Sequence, residues 1–288
     1  MNKTKIDWAD STWNPVTGCL HNCEYCYARK IANRFGGKYM PYGNGINILD
    51  TQFDGEKGID PYPFKFEPTF HRYRLDEPKR KTKGKTIFVG SMCDLFGEWV
   101  PDEWIQEVFK ACEDAPQHRY LFLTKNPKRY YNLKLTENMV LNHNLAFGAT
   151  CTDLISFQHS LDYMQDFIGK KFMTYDIEDF SYKFYGGDGW WNHKQADFKD
   201  RPIMFLSIEP LQEDVSSRAN DIIGTFDWII IGAETGNRKG KVIPQKEWVD
   251  SISEQCKAAN VPIFMKESLK ELMGEDFMQE FPWDIGEV

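Results

Sequence analysis

The chain has 288 residues, of which 41% are hydrophobic and 27% charged, which suits a globular protein with one large or two small domains. Its formal net charge of −8 argues against a protein that coats nucleic acid nonspecifically, because neutralising phosphates requires a basic surface, but it leaves room for a local basic groove. No apolar run is long enough to span a membrane and the N-terminus does not resemble a secretory signal, so we expect a cytoplasmic protein without membrane contact.

β-Branched and aromatic runs alternate with helical patterns along most of the chain. In chain order, the predicted elements are a strand at 13–17, a helix at 24–35, a strand at 86–90, a helix at 101–111, a strand at 120–124, a short helix at 127–133, a strand at 145–150, a helix at 153–168, strands at 203–208 and 228–232, a helix at 245–259 and a strand at 261–265. Repeated strand–helix units predict an α/β fold with a parallel sheet and right-handed crossovers. The length and the one-directional repeat favour a partial TIM-type barrel of about six to seven parallel strands over an open doubly wound sheet.

Two segments interrupt this alternation. Residues 36–85 combine recurrent Gly and Pro with interleaved aromatic and charged residues, and we expect an irregular excursion over one end of the fold. Residues 170–200 form a Gly/Trp-rich insertion in which Trp190 and Trp191 belong either to a lid over the site or to a satellite hydrophobic cluster. The whole chain, residues 1–288, is expected to be a single domain.

Three of the seven cysteines lie within eight residues, at Cys19, Cys23 and Cys26. This C-x3-C-x2-C spacing follows the first predicted strand and leads into the first predicted helix. Iron–sulfur clusters are held by thiolates, and three of them can hold three corners of a cubane and leave the fourth iron open for a small chelating ligand. The other cysteines are scattered, and we interpret them as ordinary core thiols. They are Cys93, Cys112, Cys151 and Cys256.

A zinc site is the alternative interpretation of the triad. His21 would then be the fourth ligand beside the three cysteines, a donor set that zinc accepts. The spacing argues against it, because His21 stands two residues from both Cys19 and Cys23, which is cramped for wrapping a single ion. Gly18, in contrast, suits close passage of the backbone beside a cluster.

With Tyr25 directly before the third cysteine, the triad resembles the signature of the radical S-adenosylmethionine (SAM) superfamily. The chain also resembles a family of uncharacterised phage and prophage proteins with this three-cysteine motif. By the triad alone, the spore photoproduct lyases are more distant relatives. The matching stretches are residues 13–19, 89–96, 123–127, 207–211 and 227–236.

The resemblance implies a partial TIM-type barrel in which Cys19, Cys23 and Cys26 ligate a [4Fe–4S] cluster. SAM would chelate the open iron through its amino and carboxylate groups. One electron, from a reductant protein such as a flavodoxin or ferredoxin, would cleave SAM to methionine and a 5′-deoxyadenosyl radical that abstracts a substrate hydrogen atom.

Polar residues follow most of the predicted strands, where the active site of an α/β barrel lies. The Gly-Gly-Glu tract usual after the second strand in the superfamily is replaced here by residues 90–94, so Ser91 and Asp94 are assigned to the methionyl end of SAM. We expect catalytic roles for Glu209, Glu234 and Lys266. The predicted cofactor-binding residues are Tyr25, Ser91, Asp94, Thr150, Gly232 and Glu234.

Residues 71–85 contain the one strongly basic run of this acidic chain. Its cations can contact phosphates while Tyr73 stacks on a base, and a solvated loop is the alternative. Three functions follow from the sequence: a radical SAM enzyme that modifies or repairs a nucleic-acid base or nucleotide, one that acts on a small metabolite or peptide, and a non-catalytic binding protein stabilised by zinc or an iron–sulfur cluster.

Overall fold

The structure is a computed structural model that describes residues 1–37, 39–40, 46–56, 58–133, 144–176, 181–184, 201–217 and 225–283. The chain divides into two compact units, residues 1–124 and 125–288. No helix among the described residues is long and apolar enough to cross a membrane.

The first unit contains a sheet in which β2 (Ser11–Trp13), β8 (Thr86–Val89) and β9 (Arg119–Thr124) run parallel. In the same sheet, β1 (Asn2–Lys3) pairs antiparallel with β2. Trp13 pairs with Val89 and Val89 with Phe122, so the carboxyl ends of the three parallel strands lie at one edge. The strands are β1 Asn2–Lys3, β2 Ser11–Trp13, β3 Val16–Thr17, β4 Asn47–Leu49, β5 Asp54–Gly55, β6 Gly58–Ile59, β7 Thr69–His71, β8 Thr86–Val89 and β9 Arg119–Thr124, and the helices are α1 Tyr27–Phe35 and α2 Asp102–Glu113.

The predicted excursion at residues 36–85 is less irregular than expected. It contributes β4 and β7 to a three-stranded sheet in which β7 pairs antiparallel with β3 and parallel with β4, and β5 and β6 form a separate antiparallel pair. Strands of two or three residues are too short to show the alternation that reveals a strand in sequence. The described part of the excursion therefore packs beside β3, which leads into the cysteines.

The second unit contains four parallel strands in the order β10 (Leu145–Cys151), β13 (Ile203–Ile208), β14 (Trp228–Ile231) and β15 (Ile263–Met265). Nearly all residues of these strands are buried, as expected for strands covered on both faces. With the three parallel strands of the first unit, they bear out the predicted α/β fold. The strands are β10 Leu145–Cys151, β11 Met173–Asp176, β12 Ser181–Phe184, β13 Ile203–Ile208, β14 Trp228–Ile231 and β15 Ile263–Met265, and the helices are α3 Lys128–Tyr131, α4 Leu154–Phe172, α5 Lys246–Ala258 and α6 Lys270–Met273.

Several predicted bounds differ from the structure, and the strand predicted at 13–17 is divided into β2 and β3. The first helix begins at Tyr27 rather than at residue 24, because Cys26 is its N-cap and accepts a hydrogen bond from the Arg29 N–H at 3.3 Å. Within the predicted insertion, β11 and β12 form an antiparallel pair. Trp190 and Trp191 lie outside the described residues.

A buried ion pair links the amino ends of β13 and β14. Arg201 donates to both carboxylate oxygens of Asp227, at 2.5 and 2.8 Å, and the Met204 N–H donates to the same carboxylate at 2.7 Å. Arg201 is 5% and Asp227 9% exposed. The bidentate geometry and the additional donor satisfy the buried carboxylate.

We expect Arg201→Met to destabilise the protein by about 3–5 kcal/mol, because it leaves the Asp227 carboxylate buried without its cation. Urea unfolding followed by circular dichroism measures the change. Lys110→Met is the matched control, since it breaks an exposed pair with Asp114, and it should leave the unfolding midpoint unchanged. Equal midpoints for both variants would contradict the role of the buried pair.

Candidate cofactor site

The cysteine loop starts at a position that only glycine can occupy. Gly18 has φ +89°, and a Cβ there would lie 2.3 Å from the carbonyl oxygen of Glu67. The Gly18 N–H donates to the Met92 carbonyl at 2.9 Å, and the Cys19 N–H donates to the Phe66 carbonyl at 3.2 Å. The first ligand of the triad is thus held between two backbone segments that are distant in sequence.

The three thiols of the triad lie on one short loop, and each is free and half-buried. The Cys26 N–H donates to the Cys23 carbonyl at 3.2 Å, which closes a turn immediately before α1. The Arg29 guanidinium donates to the Cys19 carbonyl at 3.2 Å and so joins α1 to the start of the loop. Cys19 and Cys26 pack against an apolar cluster that consists of Ala28, Ala32, Phe66 and Met92.

Burial raises the pKa of the Cys19 thiol to about 12, while a backbone hydrogen bond from His21 opposes the shift and the charges of Asp94, Cys23 and Cys26 add to it. Cys23 and Cys26 are therefore close enough to Cys19 for their charges to affect the pKa of its thiol. A thiol must lose its proton to bind a metal, so metal binding to this loop would release protons.

The donor set fits an iron–sulfur cluster. It consists of three soft thiolates on one loop, the ligand type such clusters use. Within the described part of the chain, no three His, Cys, Asp or Glu side chains are gathered as a single metal ion requires. In a cubane each cysteine binds a different iron atom. The cysteine ligands of a cubane therefore stand further apart than the ligands of a single metal ion.

Asp94 connects the cysteine loop to the end of β9. Its carboxylate is 5% exposed, meets His21 Nε2 at 2.8 Å, and accepts hydrogen bonds from the Thr124 hydroxyl at 2.7 Å and the Phe96 N–H at 3.0 Å. The His21 and Trp99 rings also form a T-shaped pair with centroids 4.9 Å apart. A zinc ion bound by His21 would have to use the other ring nitrogen or break the bond to Asp94.

Ser91 lies at the same edge of the sheet as Asp94 and is fixed by a residue that the sequence did not single out. The Asn14 amide donates to the Ser91 hydroxyl at 3.1 Å, and its oxygen accepts from the Met92 N–H at 2.9 Å. The Tyr27 hydroxyl donates to the Ser91 carbonyl at 2.7 Å. Asn14 directly follows β2 at its carboxyl end, and this position could have identified it as a site residue.

Tyr25, another predicted cofactor-binding residue, is half-buried within the cysteine loop.

Cys93 is a fourth thiol near the triad, although its isolated position in the sequence predicts an ordinary core cysteine. Its backbone bridges to Gly18, and burial, Asp94 and Cys19 raise the pKa of its thiol. A Cβ on Gly90 would lie 3.0 Å from its sulfur. Cys93 stands four residues after the end of β8, close to the predicted site residues Ser91 and Asp94. This position in the sequence could have indicated that Cys93 lies near the site.

In the second unit, three predicted site residues meet where β13, β14 and β15 end. The Lys266 ammonium lies 2.5 Å from a carboxylate oxygen of Glu209, and both side chains are partly exposed. A Cβ on Gly232 would lie 2.9 Å from Lys266 and 3.2 Å from Glu209. Glycine at this position thus leaves room for the ion pair across the strand ends.

Glu234 is buried, and both of its oxygens accept from Arg238 at 2.7 Å. The Arg238 hydrogen bonds are the main cause that lowers the pKa of the Glu234 carboxyl, so it is ionised at neutral pH. The sequence did not identify Arg238, although it stands in a basic loop after β14.

Thr150, a predicted cofactor-binding residue, lies near the carboxyl end of β10 and pairs in register with Ser207 of β13.

The basic run at residues 71–85 begins beside the end of β2, where the Arg74 guanidinium donates to the Asn14 carbonyl at 3.0 Å. Its first half is engaged in ion pairs, since Arg72 contacts both Glu107 and Asp50. Its second half, residues 79–84, is exposed and leads into the amino end of β8, whereas Asp94 follows the carboxyl end of that strand.

One protein family covers most of the chain. The profile described as "Protein of unknown function (DUF5131)" matches residues 3–174 and 197–274. The chain belongs to this family. No protein with a curated description matches the sequence.

Solved structures of spore photoproduct lyase share the fold. A cysteine-to-serine variant superposes with a TM-score of 0.53 and 12% identity, over 92% of this chain and 79% of that one. The complex with dinucleoside spore photoproduct gives 0.52 and 11% over the same shares, 92% and 79%. A variant with bound AdoMet and dinucleoside spore photoproduct gives 0.50 and 10%, over 92% and 78%. At these identities the likeness establishes the fold, and it confirms the predicted α/β fold of partial TIM-barrel type.

Proposed function

We propose that this protein is a radical SAM enzyme that modifies or repairs a nucleic-acid base or nucleotide. The observation that carries the proposal is the loop of three free thiols, Cys19, Cys23 and Cys26, on a fold shared with spore photoproduct lyase. When bound, a [4Fe–4S] cluster and SAM supply a one-electron cleavage of the sulfonium and a 5′-deoxyadenosyl radical that takes a hydrogen atom from the substrate.

The chain's own residues would hold and orient these groups. The three thiolates bind iron, and Asp94 keeps the loop in place through its bonds to His21 and Thr124. Ser91, oriented by Asn14, is placed to bind the methionyl end of SAM together with Asp94. In the second unit, Lys266 and Glu209 offer a paired cation and carboxylate that can hold or move a proton at the strand ends.

The substrate class has two kinds of support. Spore photoproduct lyase, which shares the fold, has been solved with a dinucleoside photoproduct and AdoMet. This chain also carries two groups of cations, an exposed one in residues 79–83 and one in the loop after β14, where the exposed Lys239 stands beside the half-buried Arg238 and Lys241. Cations of this kind bind phosphates without reading sequence.

Anaerobic purification followed by iron and sulfide analysis tests the cofactor, and incubation with dithionite and SAM tests the reaction. We expect iron and sulfide in the ratio of a [4Fe–4S] cluster and release of 5′-deoxyadenosine. A colourless protein that carries one zinc ion would instead identify a metal-stabilised binding protein. If 5′-deoxyadenosine forms but no nucleic acid or nucleotide is modified, the substrate is a small metabolite or a peptide.

Replacing Lys79, Arg80 and Lys81 by glutamine should weaken binding to DNA or RNA and flatten its salt dependence. On duplex DNA, each lost phosphate contact reduces the magnitude of the slope of log K against log salt by about 0.9. Fluorescence anisotropy at several salt concentrations measures this. Lys239→Gln with Lys241→Gln is the companion variant for the loop after β14. If both variants bind like the unaltered protein, neither group of cations contacts nucleic acid.

A further inference from the structure

Helix α1 exposes a stripe of large apolar side chains beside the cysteine loop. Tyr27, Ile31 and Phe35 follow one another at intervals of four residues and are 52%, 37% and 60% exposed. Residues four apart lie on one face of a helix, so the three form a continuous column. Leu20, in the cysteine loop itself, is 50% exposed as well. Exposed apolar side chains grouped in this way mark interaction surfaces more often than isolated ones do.

The same helix is cationic in an acidic protein. Residues 27–35 include three cations and no carboxylate, whereas the whole chain has a formal net charge of −8. Lys30 and Arg34 are exposed, and because they lie one turn apart they form a second column beside the apolar one. Arg29 is instead directed inward, to the Cys19 carbonyl.

This face is joined directly to the candidate metal ligands. Cys26 is the N-cap of α1, and Arg29 ties the first turn of the helix to Cys19. The Tyr27 hydroxyl adds a bond to the Ser91 carbonyl, behind the loop. A protein bound on this helix would therefore sit next to the thiols.

We infer that this surface, here called the α1 face, docks an acidic protein that delivers single electrons to the group held by the cysteines. The inference rests on the proposed function, because reductive cleavage of SAM requires an electron donor. On docking, the donor is oxidised by one electron and the held group is reduced by one electron, with no bond formed or broken. The α1 face consists of Leu20, Tyr27, Lys30, Ile31, Arg34 and Phe35.

Two features favour a protein over nucleic acid as the occupant. The face offers two exposed cations next to four large apolar side chains, whereas phosphate-driven binding uses many cations and little apolar surface. Transient electron-transfer complexes are small, and charge complementarity gives them fast association. An apolar column flanked by cations suits a small acidic partner of that kind.

The first test measures binding of an acidic flavodoxin to the full chain as purified, by isothermal titration at low and high salt. We expect Lys30→Glu with Arg34→Glu to weaken binding at least tenfold at low salt and to abolish its salt dependence. Lys3→Glu with Lys5→Glu makes the same charge change at two other exposed positions of the first unit and should bind flavodoxin normally. An equal loss in this control, or a loss of DNA binding without loss of flavodoxin binding in the α1 variant, would overturn the inference.

The second test follows bleaching of the cluster absorbance in the loaded protein. Reduced flavodoxin should bleach the α1 variant at least tenfold more slowly than the unaltered protein, while dithionite, which needs no docking surface, should bleach both at the same rate. If dithionite reduction slows equally, the helix supports the loop and does not dock a donor. If no cluster can be loaded, the proposed function fails, and the titration still decides whether the α1 face binds an acidic protein.

Discussion

Cys23→Ala should lower the iron bound per chain to the background level and abolish formation of 5′-deoxyadenosine. Cys23 is the middle ligand of the triad, and the two thiols left by its removal cannot hold three corners of a cubane. We expect the rate of SAM cleavage to fall by at least about 10⁴-fold, as for loss of a group on which the whole reaction depends. Iron analysis, visible absorbance and chromatography of the SAM products measure the two effects.

Cys112→Ala is the matched control for this experiment, since Cys112 is also free but is 1% exposed within α2. It should retain full iron and full activity. Cys93→Ala tests whether a thiol that lies near Cys19, but outside the motif, also contributes to iron binding. Undiminished iron in the Cys23 variant would exclude the triad as the ligand set.

Asp94→Ala should cost the protein much of its cluster even though it removes no ligand. The substitution leaves His21 and Thr124 without their buried acceptor and frees the cysteine loop from the end of β9. Loss of a group that positions metal ligands lowers metal affinity by about 10- to 100-fold. We also expect a loss of about 2 kcal/mol in stability from the broken hydrogen bonds to a charged group.

Retention of iron during dialysis against a chelator measures the first effect, and urea unfolding of the metal-free chain measures the second. Asp94→Asn should recover most of both, because its oxygen can still accept from Thr124 and Phe96 while its amide donates to His21. If the alanine variant keeps its iron as firmly as the unaltered protein, Asp94 does not position the loop.

The sequence was informative where a local pattern reflects the structure. The strands of the second unit are continuous apolar runs because they are buried on both faces, and the triad is visible because its spacing is local. The contacts around the triad are not local. Asn14 and Ser91 are 77 residues apart in sequence and His21 and Asp94 are 73 apart, so no spacing rule reveals that they meet.

Other features were missed for different reasons. The short strands β4 and β7 have too few residues to show a period. Cys93 resembles a core thiol until its neighbour across the bridge is known to be Gly18. Glu234 was predicted from its place after β14, but Arg238, which holds both of its oxygens, stands in a loop with no regular pattern.

The backbone hydrogen bonds at Gly18 and Cys19 bear on the order of folding and cofactor binding. Backbone hydrogen bonds to Met92 and Phe66 fix the start of the cysteine loop, and neither bond uses a thiol of the triad. Small zinc domains, in contrast, fold only when their ion binds. Because these bonds do not depend on the thiols, we expect the chain to fold before any group binds to the triad, so that loading would be a separate step.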